Sequence, residues 1–225
     1  MLFFRGGIHL DSAKINQYLQ QLMPEVDEEI TRMEGFAQEK DIPIMEKTAI
    51  SVMLHILKLH SPKKILEIGA AIGYSAICMA KSLPEATIIT VERDRERYEE
   101  AVRNICTSRL ENRISVLLGD AFKVVDTIKE NAPYDALFID AAKGQYQRFF
   151  ELYEPLLSDN AIVITDNVLF KGLVAEENIE SKRLRSLVKK IKQYNKWLID
   201  HPRFDTTIIP VGDGVAISIK RGENK

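Results

Sequence analysis

The chain has 225 residues, of which 45% are hydrophobic, 28% are charged and 8% are aromatic, and its formal net charge is −2. These values exclude an intrinsically disordered chain and a protein that holds nucleic acid through bulk positive charge alone. No apolar run approaches the roughly 20 residues that a membrane-spanning helix requires. The first apolar run stops at Arg5 and is no signal peptide. We therefore expect one soluble domain over residues 1–225 that makes no membrane contact.

The first sixty residues are predicted to form three helices. Ser12 can cap the first helix, which runs through Leu19, and Pro24 is expected to open a second helix that is rich in acids. The third helix carries an apolar stripe with helical spacing and ends at Pro62. We expect residues 1–60 to form a helical cap on a core over 61–225. The stripe consists of Ile50, Met53, Leu54 and Leu57.

From residue 61 onward, short apolar runs alternate with helical stretches. Near-continuous apolar strands separated by helices indicate a parallel sheet that is covered on both faces. Asp213-Gly214 lies shortly before the last run, which favours an antiparallel hairpin there. We therefore predict an α/β fold with a mostly parallel, seven-stranded sheet. Strands are expected at 64–68, 87–91, 114–118, 136–139, 161–165, 206–209 and 215–219, and helices near 74–82, 94–108, 121–130, 144–154 and 180–199.

The two cysteines, Cys78 and Cys106, each lie within an apolar-periodic segment. We expect two buried free thiols, which are typical of a reducing compartment, and we interpret the chain as cytoplasmic. The histidines do not have the spacing of zinc ligands. They are His9, His55, His60 and His201.

Glycines and acids follow the first three predicted strands, at the edge where ligands bind in an open parallel sheet. Gly69 and Gly73 form a turn that lacks the Gly-x-Gly-x-x-Gly fingerprint, so a nicotinamide cofactor is disfavoured. Glu92 ends the second strand, where a carboxylate commonly accepts hydrogen bonds from ribose hydroxyls. Asp120 follows the third strand. Glu67 lies at the end of the first strand, where an acid is costly unless it has a partner. The alternative is that these are the glycine turns and capping acids of any doubly wound sheet.

Together these residues resemble the Rossmann-like class I methyltransferases, which bind S-adenosylmethionine, and the resemblance covers about residues 40–221. It implies that Gly69 and Ser75 lie at the methionine end of the cofactor and that Glu92 holds the ribose. Asp120 and Ala121 are expected at the adenine. The full set of expected cofactor-binding residues is Met45, Glu67, Gly69, Ser75, Glu92, Asp120, Ala121 and Asp140.

Two carboxylates and an amide follow the fourth and fifth strands. Asp140 ends the fourth strand, and Asp166 and Asn167 end the fifth. An all-oxygen set suits a hard cation such as Mg²⁺ and does not suit zinc. The alternative is that the acids cap helices and that Asn167 occupies a left-handed turn. Since all three share one rim with Lys143, we favour a metal site.

Asp140-Ala-x-Lys143, Asp166-Asn-x-Leu169 and Gly212-Asp-Gly214 closely resemble the metal-dependent O-methyltransferases, which include catechol and caffeoyl-coenzyme A O-methyltransferases. The resemblance implies Asp140, Asp166 and Asn167 as metal ligands and Lys143 as the catalytic base. It also implies a homodimer. The chain departs from the family at Ala141-Ala142, where mammalian catechol enzymes have bulky aromatic residues, and over 170–181. The chemistry therefore transfers better than the substrate.

Residues 182–196, here called the basic segment, hold seven basic residues and no acid. Its apolar stripe, Leu184, Leu187, Val188 and Ile191, is expected to pack inward, so that the lysines could track a phosphate backbone. A solvated amphipathic helix is the alternative.

Overall, and notably at Ile42–Met45, the sequence looks most like the bacterial tRNA 5-hydroxyuridine methyltransferases, which form wobble-position 5-methoxyuridine. We take tRNA as the first substrate hypothesis and a small catechol-like or caffeoyl-type molecule with two adjacent oxygens as the second. A nicotinamide oxidoreductase is disfavoured because the sequence lacks the Gly-x-Gly-x-x-Gly fingerprint. A non-catalytic cofactor- or RNA-binding protein would not need the intact group around Lys143.

Overall fold

The structure, a computed structural model, describes residues 12–24 and 27–222. Within them a seven-stranded sheet has the order β3-β2-β1-β4-β5-β7-β6. The strands are β1 (Lys64–Ile68), β2 (Thr87–Glu92), β3 (Ile114–Leu118), β4 (Tyr134–Ile139), β5 (Leu157–Thr165), β6 (Phe204–Ile209) and β7 (Val215–Lys220). The helices are α1 (Ser12–Gln21), α2 (Glu28–Glu39), α3 (Lys47–His60), α4 (Tyr74–Ser82), α5 (Arg95–Thr107), α6 (Val125–Lys129), α7 (Tyr146–Tyr153) and α8 (Lys182–Ile199).

Strands β1 to β5 are parallel, and β7 pairs antiparallel with both β5 and β6. This confirms the predicted mostly parallel sheet with an antiparallel C-terminal hairpin. The chain runs outward from β1 to β3 and then returns to β4 on the other side of β1. That reversal opens a crevice between the carboxyl ends of β1 and β4, which is where ligands bind in such sheets.

Two hydrophobic clusters cover the two faces of the sheet. Met33 of α2 and Met53 of α3 belong to the same cluster as Ile65 of β1, so the helical cap and the sheet share one core. The opposite cluster includes Phe150 of α7 and Tyr194 of α8. Because parallel strands are buried on both faces, their sequences are almost continuously apolar. The single-domain division into cap and core stays a prediction.

The helix boundaries differ from the sequence prediction at two places. Helix α2 does not open at Pro24, because the Asp27 side chain accepts a hydrogen bond from the Ile30 N–H at 3.0 Å and caps the helix there. Helix α6 is shorter than expected, because Asp120 Oδ1 accepts the Phe122 N–H at 2.9 Å and forms a turn first.

Two burial expectations were also wrong. Cys106 is a free thiol as expected but is exposed, whereas Cys78 is buried. In α8, Leu184 is 38% exposed. The buried stripe starts further along the helix and consists of Val188, Ile191, Tyr194 and Leu198. Within the described parts of the chain, no helix has the length and apolar character needed to cross a membrane.

Candidate active site

A cavity of about 800 Å³ lies at the carboxyl ends of the parallel strands. It reaches from the turn after β1 to the segment after β5, and the cap closes one side of it through Ile44 and Glu46. Most of the residues singled out in the sequence meet on its wall. They are Gly69, Glu92, Asp120, Ala121, Asp140, Lys143, Asp166 and Asn167.

Gly69 lets the backbone turn directly beneath the cavity. Its φ is +106°, and a Cβ built there would lie 2.1 Å from the backbone oxygen of Asp140. Only glycine fits, because any side chain would collide with the neighbouring strand end. The Gly69 N–H donates to the Val91 carbonyl at 3.0 Å, which joins the turn to β2. The cavity floor is therefore bare backbone that a ligand can approach closely.

Glu92 is fixed in place by the backbone around it. Its Oε2 accepts the Ala71 N–H at 2.8 Å, and its Oε1 accepts the Arg93 and Asp94 N–H groups, each at 2.9 Å. The side chain is buried yet lines the cavity. A carboxylate oxygen accepts more than one hydrogen bond, so Glu92 can still accept hydroxyl donors from a ribose.

An aromatic and cationic wall follows Asp120 and Ala121. The Phe122 ring stacks on Phe149 with 4.6 Å between centroids, and the Arg148 guanidinium lies 4.4 Å from the Phe122 centroid. All three residues line the cavity. Sequence reasoning missed them, and the one available signal was that Phe122 directly follows Ala121. Such a flat surface suits a planar base.

Three residues expected at the cofactor stand behind the cavity wall. Met45 belongs to the core, although its neighbours Ile44 and Glu46 line the cavity. Glu67 is fully buried, its Oε1 accepts a hydrogen bond from the Ser75 hydroxyl, and its Oε2 has no partner among the described residues. Burial raises the pKa of Glu67 to about 7. A cofactor role for Met45, Glu67 and Ser75 stays a prediction.

Hydrogen bonds between strand ends bring the proposed metal ligands together. The Asp140 N–H donates to the Ile68 carbonyl at 3.0 Å, and the Asp166 N–H donates to the Ile139 carbonyl at 3.1 Å. Asn167 has a φ of +59°, a left-handed conformation that asparagine tolerates. Its backbone N–H and its Nδ2 donate to the two carboxylate oxygens of Asp166 at 2.7 and 3.1 Å.

The loop before β7 supports the segment after Asn167. The Val168 N–H donates to the Gly214 carbonyl at 3.0 Å, and the Leu169 N–H donates to the Asp213 carbonyl at 2.8 Å. A Cβ built at Gly214 would lie 2.3 Å from the Leu169 side chain, so the two segments pack at a distance that requires glycine. Phe170 and Lys171 then adopt positive φ values of 45° and 55°. Strained backbone of this kind is common beside functional sites.

Lys143 Nζ donates a hydrogen bond to Asn167 Oδ1, so the amide oxygen faces a positive charge. Burial lowers the pKa of Lys143, while Asp140 and Asp166 act in the opposite direction. Burial raises the pKa of both acids, and the charge of Asp140 raises that of Asp166 further. The site therefore places two buried carboxylates close to each other and beside the half-buried Lys143.

This donor set fits a hard divalent cation. Two carboxylates and one amide oxygen are ligands that Mg²⁺ prefers, and Mg²⁺ keeps several waters when the protein supplies few ligands. Among the described residues there is no group of three or more His, Cys, Asp and Glu side chains that could hold a metal. Asn167 offers a third protein oxygen in the same cavity, and zinc is disfavoured because His and Cys are missing from the set.

The chain is similar to known O-methyltransferases in sequence and in structure. A model of the O-methyltransferase family matches residues 12–221. A catechol O-methyltransferase from Niastella koreensis is 30% identical over 220 residues, which are 91% of this chain and 96% of that protein. A solved structure of a candidate caffeoyl-CoA O-methyltransferase from Staphylococcus aureus superposes with a TM-score of 0.88 at 35% identity, over 92% of this chain and 100% of that one.

A further structure shares the fold and contains the cofactor. The O-methyltransferase TomG from Streptomyces achromogenes, solved with S-adenosylmethionine, superposes with a TM-score of 0.79 at 24% identity, over 93% of this chain and 96% of that one. The sheet order, the cavity and these matches agree with the class I fold predicted from the strand ends. The chain belongs to the S-adenosylmethionine-dependent O-methyltransferase family.

Proposed function

We propose that the chain is a divalent-metal-dependent O-methyltransferase that methylates one hydroxyl of a small molecule carrying two adjacent oxygens, as catechols and caffeoyl compounds do. One observation carries the proposal: Lys143 shares a single cavity with the oxygen donors Asp140, Asp166 and Asn167 and with the glycine turn at Gly69. The proposed metal ligands, the proposed base and the glycine turn expected beneath the cofactor therefore line one cavity.

Each wall of the cavity has its own task in this proposal. Gly69 and Glu92 hold S-adenosylmethionine, and Asp140, Asp166 and Asn167 hold the cation. A divalent cation bound there supplies positive charge that lowers the pKa of a nearby substrate hydroxyl. Fixing the hydroxyl oxygen in line with the methyl group supplies much of the acceleration, because the reacting groups need no further alignment.

Lys143 is the base in this proposal. Its Nζ is half-buried on the cavity wall and already donates to Asn167 Oδ1, one of the expected metal ligands. Burial lowers its pKa, which favours the neutral amine that can accept a proton. In the reaction the proton passes from the substrate hydroxyl to Lys143 Nζ.

Replacing Lys143 by alanine tests this role. We expect turnover to fall by about 100-fold or more, the usual contribution of a positioned base. The dissociation constant of S-adenosylmethionine, measured by isothermal titration calorimetry, should stay at the wild-type value, because Lys143 is not on the Gly69–Glu92 side. Loss of cofactor binding together with turnover would contradict the base assignment.

A planar aromatic substrate fits the surroundings of Lys143. The Phe170 ring centroid lies 5.8 Å from Lys143 Nζ, and the small side chains of Ala141 and Ala142 line the same cavity. The catechol enzyme of Niastella koreensis and the Staphylococcus aureus structure support this substrate class by similarity.

A second candidate substrate is the 5-hydroxyuridine of tRNA, whose 5-hydroxyl lies next to a carbonyl oxygen. The basic segment favours it. All seven of its basic side chains are exposed, and within the described chain only Lys196 has an ion pair, with Asp200 at 3.0 Å. A Cβ built at Gly144 would lie 3.5 Å from the Lys190 side chain, so this lysine reaches the residue that follows Lys143.

Methyl transfer from labelled S-adenosylmethionine distinguishes the two substrates. Four substrates are offered in parallel: caffeic acid, catechol, unmodified tRNA and tRNA that contains 5-hydroxyuridine. Each substrate is tested once with Mg²⁺ and once with EDTA. Transfer to the catechol that EDTA abolishes supports the proposal, and transfer unaffected by EDTA would sink the metal mechanism. Transfer to tRNA alone favours the second candidate. In that case, nucleosides of a deletion strain should show 5-hydroxyuridine in place of 5-methoxyuridine.

Two expectations about the whole protein stay predictions. The two free thiols fit a reducing compartment and thus the cytoplasm. A homodimer is implied by resemblance to the family, and sedimentation of the purified protein at several concentrations tests it.

A further inference from the structure

Tyr146 carries a buried hydroxyl that nothing in the mechanism above uses. The residue is 1% exposed, and no hydrogen-bond partner of its hydroxyl occurs within residues 12–24 and 27–222. A buried hydroxyl without a partner lowers stability, and phenylalanine would fill the same space without that loss. The hydroxyl therefore points to a hydrogen bond that forms only when the site is occupied.

The position of Tyr146 connects it to the proposed metal ligands. It begins α7, three residues after Lys143. Its ring packs against Tyr194 of α8 with 5.4 Å between centroids, and the Tyr194 hydroxyl is 2.8 Å from Thr165 Oγ1. Thr165 is the last residue of β5 and precedes Asp166 directly. Tyr146 therefore lies outside the cavity lining, and it is connected to Asp166 through its packing on Tyr194 and the contact of Tyr194 with Thr165.

The chemistry of this hydroxyl makes it a donor. Burial raises the pKa of Tyr146 well above its ordinary value, and the negative charges of Asp140 and Asp166 raise it further. The hydroxyl therefore keeps its proton. Carboxylates that hold a metal are commonly fixed by hydrogen bonds from groups behind them, and losing such a bond weakens metal binding about 10-fold or more.

We propose that Tyr146 is a positioning residue of the metal site, whose hydroxyl donates a hydrogen bond to the Asp140 or Asp166 carboxylate, directly or through one water, when a divalent cation is bound. The inference rests on the proposed metal site and adds a residue to it. It explains why an aromatic position in the core carries a hydroxyl: the hydrogen bond orients a carboxylate ligand of the proposed cation.

The test compares Tyr146→Phe with the matched substitution Tyr134→Phe. Tyr134 is the first residue of β4, at the end of the strand opposite to Asp140. Tyr134 is equally buried, but its hydroxyl donates to the Ile128 carbonyl at 2.7 Å, far from the ligands. The full-length proteins are titrated with Mn²⁺, a cation that accepts the same oxygen ligands as Mg²⁺. Electron paramagnetic resonance measures binding without S-adenosylmethionine or substrate. Urea unfolding of the metal-free proteins reports stability.

We expect Tyr146→Phe to bind Mn²⁺ about 10-fold more weakly, with an unchanged or higher unfolding midpoint, because only an unpaired hydroxyl is lost. Tyr134→Phe should show the reverse: a lower midpoint and wild-type Mn²⁺ affinity. Wild-type affinity in Tyr146→Phe would overturn the inference and leave the proposed function intact. A fall in midpoint equal to that of Tyr134→Phe would also overturn it, since the hydroxyl would then be structural. Failure of the wild-type protein to bind Mn²⁺ would overturn both.

Discussion

Replacing Glu67 by glutamine should make the stability of the protein less dependent on pH. Glu67 is fully buried in β1, and burial raises its pKa from an ordinary value of 4.5 to about 7. The folded protein therefore binds this proton more tightly than the unfolded chain does. The resulting stabilisation is complete below about pH 4.5 and is lost as the pH rises through 7. Above that pH the folded protein carries a buried charge that the unfolded chain exposes to water.

The size of the effect follows from the shift. Each unit of difference in pKa between the folded and unfolded states corresponds to about 1.4 kcal/mol, so a shift from 4.5 to about 7 amounts to about 3 kcal/mol. Glutamine has nearly the same shape and carries no titrating proton, and its amide can still accept the Ser75 hydroxyl. The free energy of unfolding of Glu67→Gln minus that of the wild type should therefore rise by about 3 kcal/mol between pH 4.5 and pH 8.

Urea unfolding of both proteins at half-unit pH steps measures this difference. Glu85→Gln, on an exposed side chain, gives the effect of removing one negative charge without burial. If the free energies of unfolding of Glu67→Gln and the wild type differ by the same amount at every pH from 5 to 8, the reasoning is refuted. That result would mean that the folded protein stabilises the ionised carboxylate, for example through an ordered partner for Oε2.

Three further substitutions test the cofactor side of the cavity. Gly69→Ala should abolish S-adenosylmethionine binding and destabilise the protein by more than about 2 kcal/mol, because the new Cβ meets the Asp140 backbone; wild-type calorimetric affinity would contradict this. Asn104→Asp should raise the KM for S-adenosylmethionine more than it lowers kcat, because Asn104 Nδ2 donates to the Ile72 carbonyl of the glycine turn at 2.9 Å and a carboxylate cannot. A rise in KM and a fall in kcat by the same factor would argue against a cofactor role. Phe122→Ala should weaken binding of S-adenosylhomocysteine about 5-fold, the equivalent of about 1 kcal/mol of stacking; an unchanged dissociation constant in calorimetry would remove Phe122 from the adenine site.

The sequence was sufficient to predict residues that lie at strand ends. Gly69, Glu92, Asp140 and Asp166 all follow or end apolar runs, and parallel strands bring their carboxyl ends to one edge whatever the lengths of the connections. Their meeting in one cavity therefore follows from the pattern of strands and helices alone.

Other features depend on packing that the pattern does not contain. Glu67 lies one residue before the end of β1, and a strand end does not reveal which side chains face the cavity and which lie behind it. The stacking of Phe122 with Arg148 joins two positions that are far apart in sequence. The start of α2 was misplaced because a proline and an aspartate offer competing signals, and the Asp27 hydrogen bond decides between them.

The position of β7 has a consequence for how the protein is made. Its strand inserts between β5 and β6, so β5, which leads into Asp166, has no neighbour on that side until residues 215–220 have left the ribosome. The carbonyls of Asp213 and Gly214 that hold Val168 and Leu169 arrive at the same late moment. The Gly69 side of the cavity can form while the chain is still growing, whereas the side that carries the proposed metal ligands Asp140, Asp166 and Asn167 is completed later. A nascent chain is therefore expected to form the glycine turn at Gly69 before it can catalyse methyl transfer.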